Sequence, residues 1–205
     1  MGLVGIVLAA GEGRRLGGPK VEVVLGGQTL VARATSVLLG AGLPDVVVIT
    51  GASSPVVPIP AVVVSNPRFA DGMGSSLRCG LQAAIERGAD AVLVTLVDQP
   101  GIGIPAVTAI LDAYRGGSRI AQATFDGRRG HPVLIGAEHF EEAASVAQGD
   151  AGARKLLGRA AKEGWLTLVD CDGDDRDLDT PSDLERWMTQ FYDESENPLI
   201  SPPRP

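Results

Sequence analysis

An α/β fold with a mostly parallel sheet and helices on both faces is predicted by three features of the sequence. Short apolar runs rich in Val, Ile and Leu alternate with longer segments of helical character. Hydrophobic residues make up 44% of the chain but aromatic residues only 4%, a composition suited to strands buried on both faces. The length of 205 residues fits one compact domain, and no stretch of the sequence reads as a linker dividing it.

The elements follow in order. Leu3 to Ala9 reads as the first strand, and a glycine-rich loop separates it from a helix over Thr29 to Gly40. Val46 to Thr50 and Ala61 to Ser65 are the next strands; a helix over Ser75 to Arg87 then leads into the strand Ala91 to Val97. Pro105 to Tyr114 reads as a helix, and His131 to Ile135 as an extra strand to which an antiparallel setting is open. Helices over Glu138 to Ala147 and Ala151 to Glu163 precede a strand over Trp165 to Asp170. Pro181 to Tyr192 closes the domain as a helix, with Thr180 as its cap and Pro181 in its first turn. The domain is expected to span residues 1–193, and 194–205, with Pro198, Pro202, Pro203 and Pro205, to form a flexible tail.

Charge and cysteine usage narrow the function classes. With 25 acidic against 18 basic residues the formal charge is −7, so the average surface repels nucleic acid and anionic membranes. An anionic ligand therefore needs a local positive pocket. Cys79 and Cys171 are too few for a disulfide framework or a four-thiolate zinc site, and two free thiols fit a reducing compartment. Leu3 to Ala10 is apolar, yet it is short and no cation precedes it, and Ile6 stands where myristoylation wants Ser or Thr. No apolar run approaches the roughly 20 residues of a membrane span. A soluble, cytoplasmic protein is expected.

Open α/β sheets bind ligands at the carboxyl ends of their strands, which directs attention to the loops after Ala9, Ser65, Val97 and Asp170. The first of these contains Gly11, Gly13, Gly17 and Gly18, which let the backbone turn tightly and bring amide groups to an anion, while Arg15 and Lys20 supply charge for a polyphosphate. It is neither a dinucleotide fingerprint, which wants Gly where Leu16 stands, nor a P-loop, which wants Ser or Thr directly after the lysine. The competing reading is a glycine-rich surface turn with two stray cations.

The run Leu8-Ala9-Ala10-Gly11-x-Gly13-x-Arg15-Leu16-Gly17-x-x-Lys20 resembles the signature of nucleotidyltransferases that act on molybdopterin and on sugar phosphates. Five further blocks resemble molybdenum cofactor cytidylyltransferases: Asn66 to Leu77, Val97-Asp98-Gln99-Pro100, Arg129 to Val133, Gly149 to Leu157 and Asp179 to Leu184. Leu16 stands where the family usually has Met, and Glu22 departs from a stretch that is commonly more apolar.

The resemblance implies a single-domain Rossmann-like nucleotidyltransferase fold and Mg2+-dependent transfer of CMP from CTP to the terminal phosphate of molybdopterin, with release of pyrophosphate. It makes Arg15, Lys20 and Asp98 catalytic, Asp98 and Asp179 the metal ligands, and Ala9, Ala10, Gly11, Gly13, Asn66, Ser75 and Ser76, with Arg15 and Lys20, the nucleotide site. Asp98 lies at the end of a buried strand, too far ahead of Pro105 to cap the next helix, and a carboxylate there suits magnesium beside phosphate oxygens. Asp179 could equally belong to the cap of the closing helix. For Ser75 and Ser76, helix capping competes with ligand contact.

Arg129, His131 and Arg154 are candidates for the acceptor, a phosphate-bearing molecule of pterin type, because guanidinium groups pair well with a terminal phosphate. An ordered structural role competes for His131, a solvated loop charge for Arg128, and a helix cap for Asp150. A phosphate monoester has a second pKa of about 6 and is already nucleophilic at neutral pH, so no general base is required. A molybdoenzyme is a candidate recipient of the product.

Alternative readings are transfer from another triphosphate such as GTP or to another acceptor, and a module that only carries or inserts cofactor. Intact Arg15, Lys20, Asp98 and Asp179 argue against the carrier. A nicotinamide-dependent oxidoreductase is a third reading, opposed by Leu16 and by the lack of an acidic residue near the end of the second strand.

Overall fold

A computed structural model describes residues 2–51 and 53–195, with side chains to Phe191. Its central sheet has seven strands in the order β5-β4-β1-β6-β8-β7-β9. They are β1 (Leu3–Ala9), β4 (Asp45–Thr50), β5 (Val62–Ser65), β6 (Ala91–Leu96), β7 (Ile120–Phe125), β8 (Arg128–Gly136) and β9 (Thr167–Asp170); β2 (Val24–Leu25) and β3 (Gln28–Thr29) form a separate small hairpin. All pairings in the central sheet are parallel except those of β8, which runs antiparallel to both β6 and β7.

Strand alternation divides the core between two helical layers. Val7 and Ala9 of β1 face α1 (Leu30–Gly40), α3 (Ile104–Arg115) and α6 (Pro181–Ser195), where Leu38, Ile110 and Trp187 are fully buried. Val4, Ile6 and Leu8 face α2 (Met73–Glu86), α4 (Phe140–Val146) and α5 (Arg154–Glu163), through Leu81, Phe140 and Leu156. Both faces of the sheet are covered, which explains why its strands read as continuous apolar runs.

Most expected elements are present, with ends shifted by one to three residues. Thr29 proves to be the cap of α1, its Oγ1 accepting from the Ala32 amide at 3.3 Å. At α6 the expected cap also forms: Thr180 Oγ1 accepts from the Asp183 amide at 3.3 Å, and Asp183 Oδ2 accepts from the Thr180 amide at 2.9 Å. Asp150 lies in a 3-10 turn over Gly149–Ala151, and α5 starts at Arg154 with no side-chain cap, so the capping role weighed for Asp150 is not seen.

Strand β7 was not expected. Gln122 and Thr124 interrupt its apolar pattern, but Asp126 and Gly127, both at positive φ, join it to β8 through a two-residue turn, and that Asp-Gly pair was the available signal. As a result β8 begins at Arg128, and Arg128 to His131 belong to a strand and not to a turn ahead of one. Helix α6 takes in the first two residues of the expected tail; the remainder, 196–205, lies outside the described residues.

Candidate active site

The loop after β1 curls around a single carbonyl. Gly13 O accepts from the amides of Leu16, Gly17 and Gly18 at 2.9, 3.1 and 3.3 Å. Gly13 has φ +62, and a Cβ there would lie 2.0 Å from Gly18 O, so only glycine permits this closure. A short 3-10 turn over Lys20–Glu22 buries Val21 and delivers the Lys20 side chain to the carboxyl edge of the sheet, with only 12% of that side chain exposed.

Asp98 stands two residues beyond β6, beside this loop, because the Val97 amide donates to Leu8 O at 3.1 Å. The segment before α6 then returns along the Asp98 loop. The Leu178 amide donates to Asp98 O at 2.7 Å, Asp174 pairs with Gly101, and Asp183 accepts from the Asp179 amide at 3.2 Å. This backbone strap brings Asp179 to Asp98.

The Lys20 ammonium bridges the two carboxylates. It donates to Asp98 Oδ2 at 2.6 Å and to Asp179 Oδ1, while Arg15 Nη1 reaches Asp179 Oδ2 at 3.2 Å. Burial alone would lower the Lys20 pKa, but the Asp98 charge and the hydrogen bonds to both carboxylates outweigh it and raise the pKa. A third carboxylate, Asp177, is held above its usual range by burial and then by the Asp98 charge.

These groups line a cavity of about 550 Å³ with Ala10, Gly11, Gly13, Met73 and Ser76. The structure thus brings together Ala10, Gly11, Gly13, Arg15, Lys20, Ser76, Asp98 and Asp179 of the expected set. Three residues expected to bind nucleotide do not line it. Ala9 is buried in the core at 2% exposure. Asn66 is spent on the protein itself: its Nδ2 donates to Ser75 Oγ at 2.8 Å and Ser76 Oγ at 3.1 Å, and its Oδ1 accepts from the Arg68 amide at 2.9 Å. Ser75 Oγ in turn donates to backbone oxygens, Arg68 O at 2.7 Å and Gly72 O at 2.9 Å. Neither serine is the cap of α2, which is Gly72.

A second cavity of about 560 Å³ adjoins the first and contains Arg129, His131 and Arg154 in its lining. Leu8, Met73, Leu96 and Asp150 line both. Asp150 reaches this boundary because Gly72, at φ +92, lets α2 start hard against Gly149, where a Cβ would meet backbone at 2.6 Å. Arg129 and Arg154 are exposed and have no ion-pair partner among the described residues, whereas Arg128 pairs with Asp175 at 2.8 Å. Burial pushes the His131 pKa down to about 4, against the opposing pull of Asp98, so the imidazole is neutral at pH 7 and offers a hydrogen bond without charge. The sequence reading missed Gln99, Gln122 and Asp177 as lining residues of this cavity. No sequence signal marked Gln122, because the strand that carries it was itself not expected.

The carboxylate pair fits a divalent cation: two hard oxygens already converge on one positive group, the Lys20 ammonium, beside space for phosphate oxygens that would complete the coordination. A glycine loop, two cations and two aspartates at the carboxyl edge of a parallel sheet, in a seven-stranded α/β domain, define the chain as a nucleotidyltransferase-type protein. More specifically, it belongs to the MobA-like NTP transferase family, whose domain matches residues 5–164.

Its relatives carry different names. It is 38% identical to "Nicotine blue oxidoreductase" of Paenarthrobacter nicotinovorans, over 91% of this chain and 96% of that protein. It is 31% identical to a molybdenum cofactor guanylyltransferase of Cereibacter sphaeroides, over 80% of this chain and 83% of that one. Among solved structures, the Rv0371c homologue from Mycobacterium sp. strain JC1 superposes with a TM-score of 0.75 at 26% identity, covering 94% of this chain and 98% of that one. The MobA-like match ends before Asp179, which reaches the site on the strap following β9.

Proposed function

We propose that this protein transfers a nucleotidyl group from a nucleoside triphosphate to the terminal phosphate of a pterin-type acceptor, molybdopterin with or without its metal. The observation that carries the reading is the convergence of Lys20, Asp98 and Asp179, from three distant parts of the chain, beside a second adjoining cavity. The sequence blocks favour CTP as donor, whereas the guanylyltransferase name of one relative makes GTP the base to test beside it.

In the reaction an acceptor phosphate oxygen attacks the α-phosphorus. The bond from that phosphorus to its bridging oxygen breaks, and pyrophosphate leaves with the electron pair. Lys20 would turn from the carboxylates to the α-phosphate and neutralise its equatorial oxygens, while Arg15 would hold the β and γ phosphates. Arg129 and Arg154 would steady the incoming phosphate. A magnesium ion held by Asp98 and Asp179 would supply charge neutralisation along the phosphates. Nothing in this scheme needs a protein base, and His131, its pKa pushed down to about 4 by burial, would be a weak one.

The experiment is a pyrophosphate-release assay with CTP, GTP and ATP, each with Mg2+ and molybdopterin. Release dependent on both acceptor and metal is expected, fastest with CTP; a GTP optimum would reassign the base alone. The name of the relative from P. nicotinovorans favours one second reading, an oxidoreductase. Leu16, where a dinucleotide-binding loop wants glycine, opposes it. Reduction of an added quinone-type dye by NADPH, without any pyrophosphate release, would establish that second reading.

A further inference from the structure

We infer that the closing helix α6 is a positioning element for the metal. Trp187 and Phe191, together with Arg33 of α1, clamp the loop that carries Asp98 against the strap that carries Asp179, and so fix how the two carboxylates meet. None of these three residues lines either cavity, so they act through the backbone and not on a ligand. The inference rests on the metal-binding part of the nucleotidyl-transfer reading.

The two aspartates stand on separate stretches of irregular backbone. The Leu178 amide donates to Asp98 O at 2.7 Å, the Asp174 amide to Gly101 O at 3.2 Å, and Gln99 Nε2 adds a donation to Asp175 O at 3.0 Å. So short a ribbon opens locally unless packing holds it. Trp187, with 0% of its surface exposed, supplies that packing. A Cβ on Gly101 would lie 2.6 Å from Trp187 Cη2 and 2.6 Å from Asp174 O, although the Gly101 backbone is one that any residue can adopt. Glycine is therefore required there by the close approach of α6 and the strap to the Asp98 loop. Trp187 Nε1 is buried with no hydrogen-bond partner among the described residues, so the indole serves by the reach of its ring.

Two arginines extend the clamp. Arg33 Nε donates to Pro100 O at 2.8 Å, and its guanidinium carbon lies 4.0 Å from the centre of the Phe191 ring, which is in turn 6.0 Å from the Trp187 ring. From the strap, the Arg176 guanidinium lies 5.5 Å from the Trp187 ring and pairs with Asp174, whose carboxylate accepts from Arg176 Nε at 2.8 Å. A continuous line of contacts thus runs from α1 through α6 to the strap, and it bears on Pro100 and Gly101, directly after Asp98. Support of this kind orients metal ligands from outside the ligand set.

The test titrates Mn2+ into the full chain without nucleotide and follows the free ion by its paramagnetic resonance. Trp187→Phe shortens the ring that meets Gly101 without removing a hydrogen bond, and Arg33→Met releases Pro100 O from a partly exposed position where folding is little at risk. Each is expected to weaken Mn2+ binding about tenfold, as loss of outer support to a metal ligand does. Trp165→Phe, which alters the other tryptophan where it stacks on His139, should leave the affinity unchanged. Unchanged affinity in both clamp variants, with folding verified by circular dichroism, would overturn the inference. So would an equal loss in Trp165→Phe, since any loosened packing would then suffice. Asp98→Asn separates the two levels. If it abolishes Mn2+ binding while the clamp variants do not weaken it, the clamp alone is refuted; if it binds Mn2+ as tightly as the unmodified chain, the metal role of the aspartates falls and the clamp with it.

Discussion

The Lys20 ammonium lies 2.6 Å from the Asp98 carboxylate across 78 positions of sequence and is shared with Asp179. A single positive charge thus occupies the point on which two aspartates converge. This contact compensates both carboxylates at once and holds them to one point. In the proposed reaction, binding would exchange partners: the aspartates would gain the metal and the ammonium would gain phosphate oxygens.

Lys20→Ala tests that exchange. Loss of one well-placed donor removes roughly 3 to 4 kcal/mol of transition-state stabilisation, so turnover at saturating nucleotide should fall by about a hundredfold or more. Without nucleotide, the same variant should bind Mn2+ more tightly than the unmodified chain, since no ammonium competes for Asp98 and Asp179. An unchanged turnover number with only a raised KM would remove Lys20 from the chemistry.

Local sequence foretold the strands that supply the site better than it foretold what each loop residue does. Buried parallel strands announce themselves as unbroken apolar runs, and the loops at their carboxyl ends held Lys20 and Asp98 where expected. Asp179 was recognisable only by resemblance, because its place depends on the Leu178 to Asp98 and Asp174 to Gly101 pairings, which are long-range and leave no periodic trace. Strand β7 was hidden by Gln122 and Thr124, polar residues buried at 8% exposure that no alternation rule assigns to a core strand. For Asn66 and Ser75 the residue types suit either ligand or protein contact, and in the structure their side chains bond to the protein itself.

Asn66→Ala should act first on stability. The change leaves the Arg68 amide and the Ser75 and Ser76 hydroxyls without the partner that ties the loop to the start of α2. At about 1 kcal/mol for each neutral hydrogen bond, a loss of roughly 2 to 4 kcal/mol is expected in urea unfolding at pH 7. Direct ligand contact predicts the opposite pattern, an unfolding midpoint close to that of the unmodified chain with a raised KM for the triphosphate. The midpoint therefore decides between the two roles.

His131 sets a pH dependence whose sign is fixed by its burial. With the folded-state pKa pushed from 6.5 to about 4, the unfolded chain takes up a proton across that interval and the folded chain does not. Stability in the ligand-free protein should therefore fall as the pH drops below 6.5, by about 2 kcal/mol between pH 7 and pH 5, and this component should level off below pH 4. His131→Gln, which cannot titrate, should flatten that part of the curve while the carboxylates continue to titrate in both proteins. Urea midpoints for the two chains at pH 7, 6 and 5 provide the measurement. Parallel curves would mean that the imidazole is as well solvated when folded as when unfolded, and would return His131 to the set of residues that can meet the acceptor phosphate as a cation.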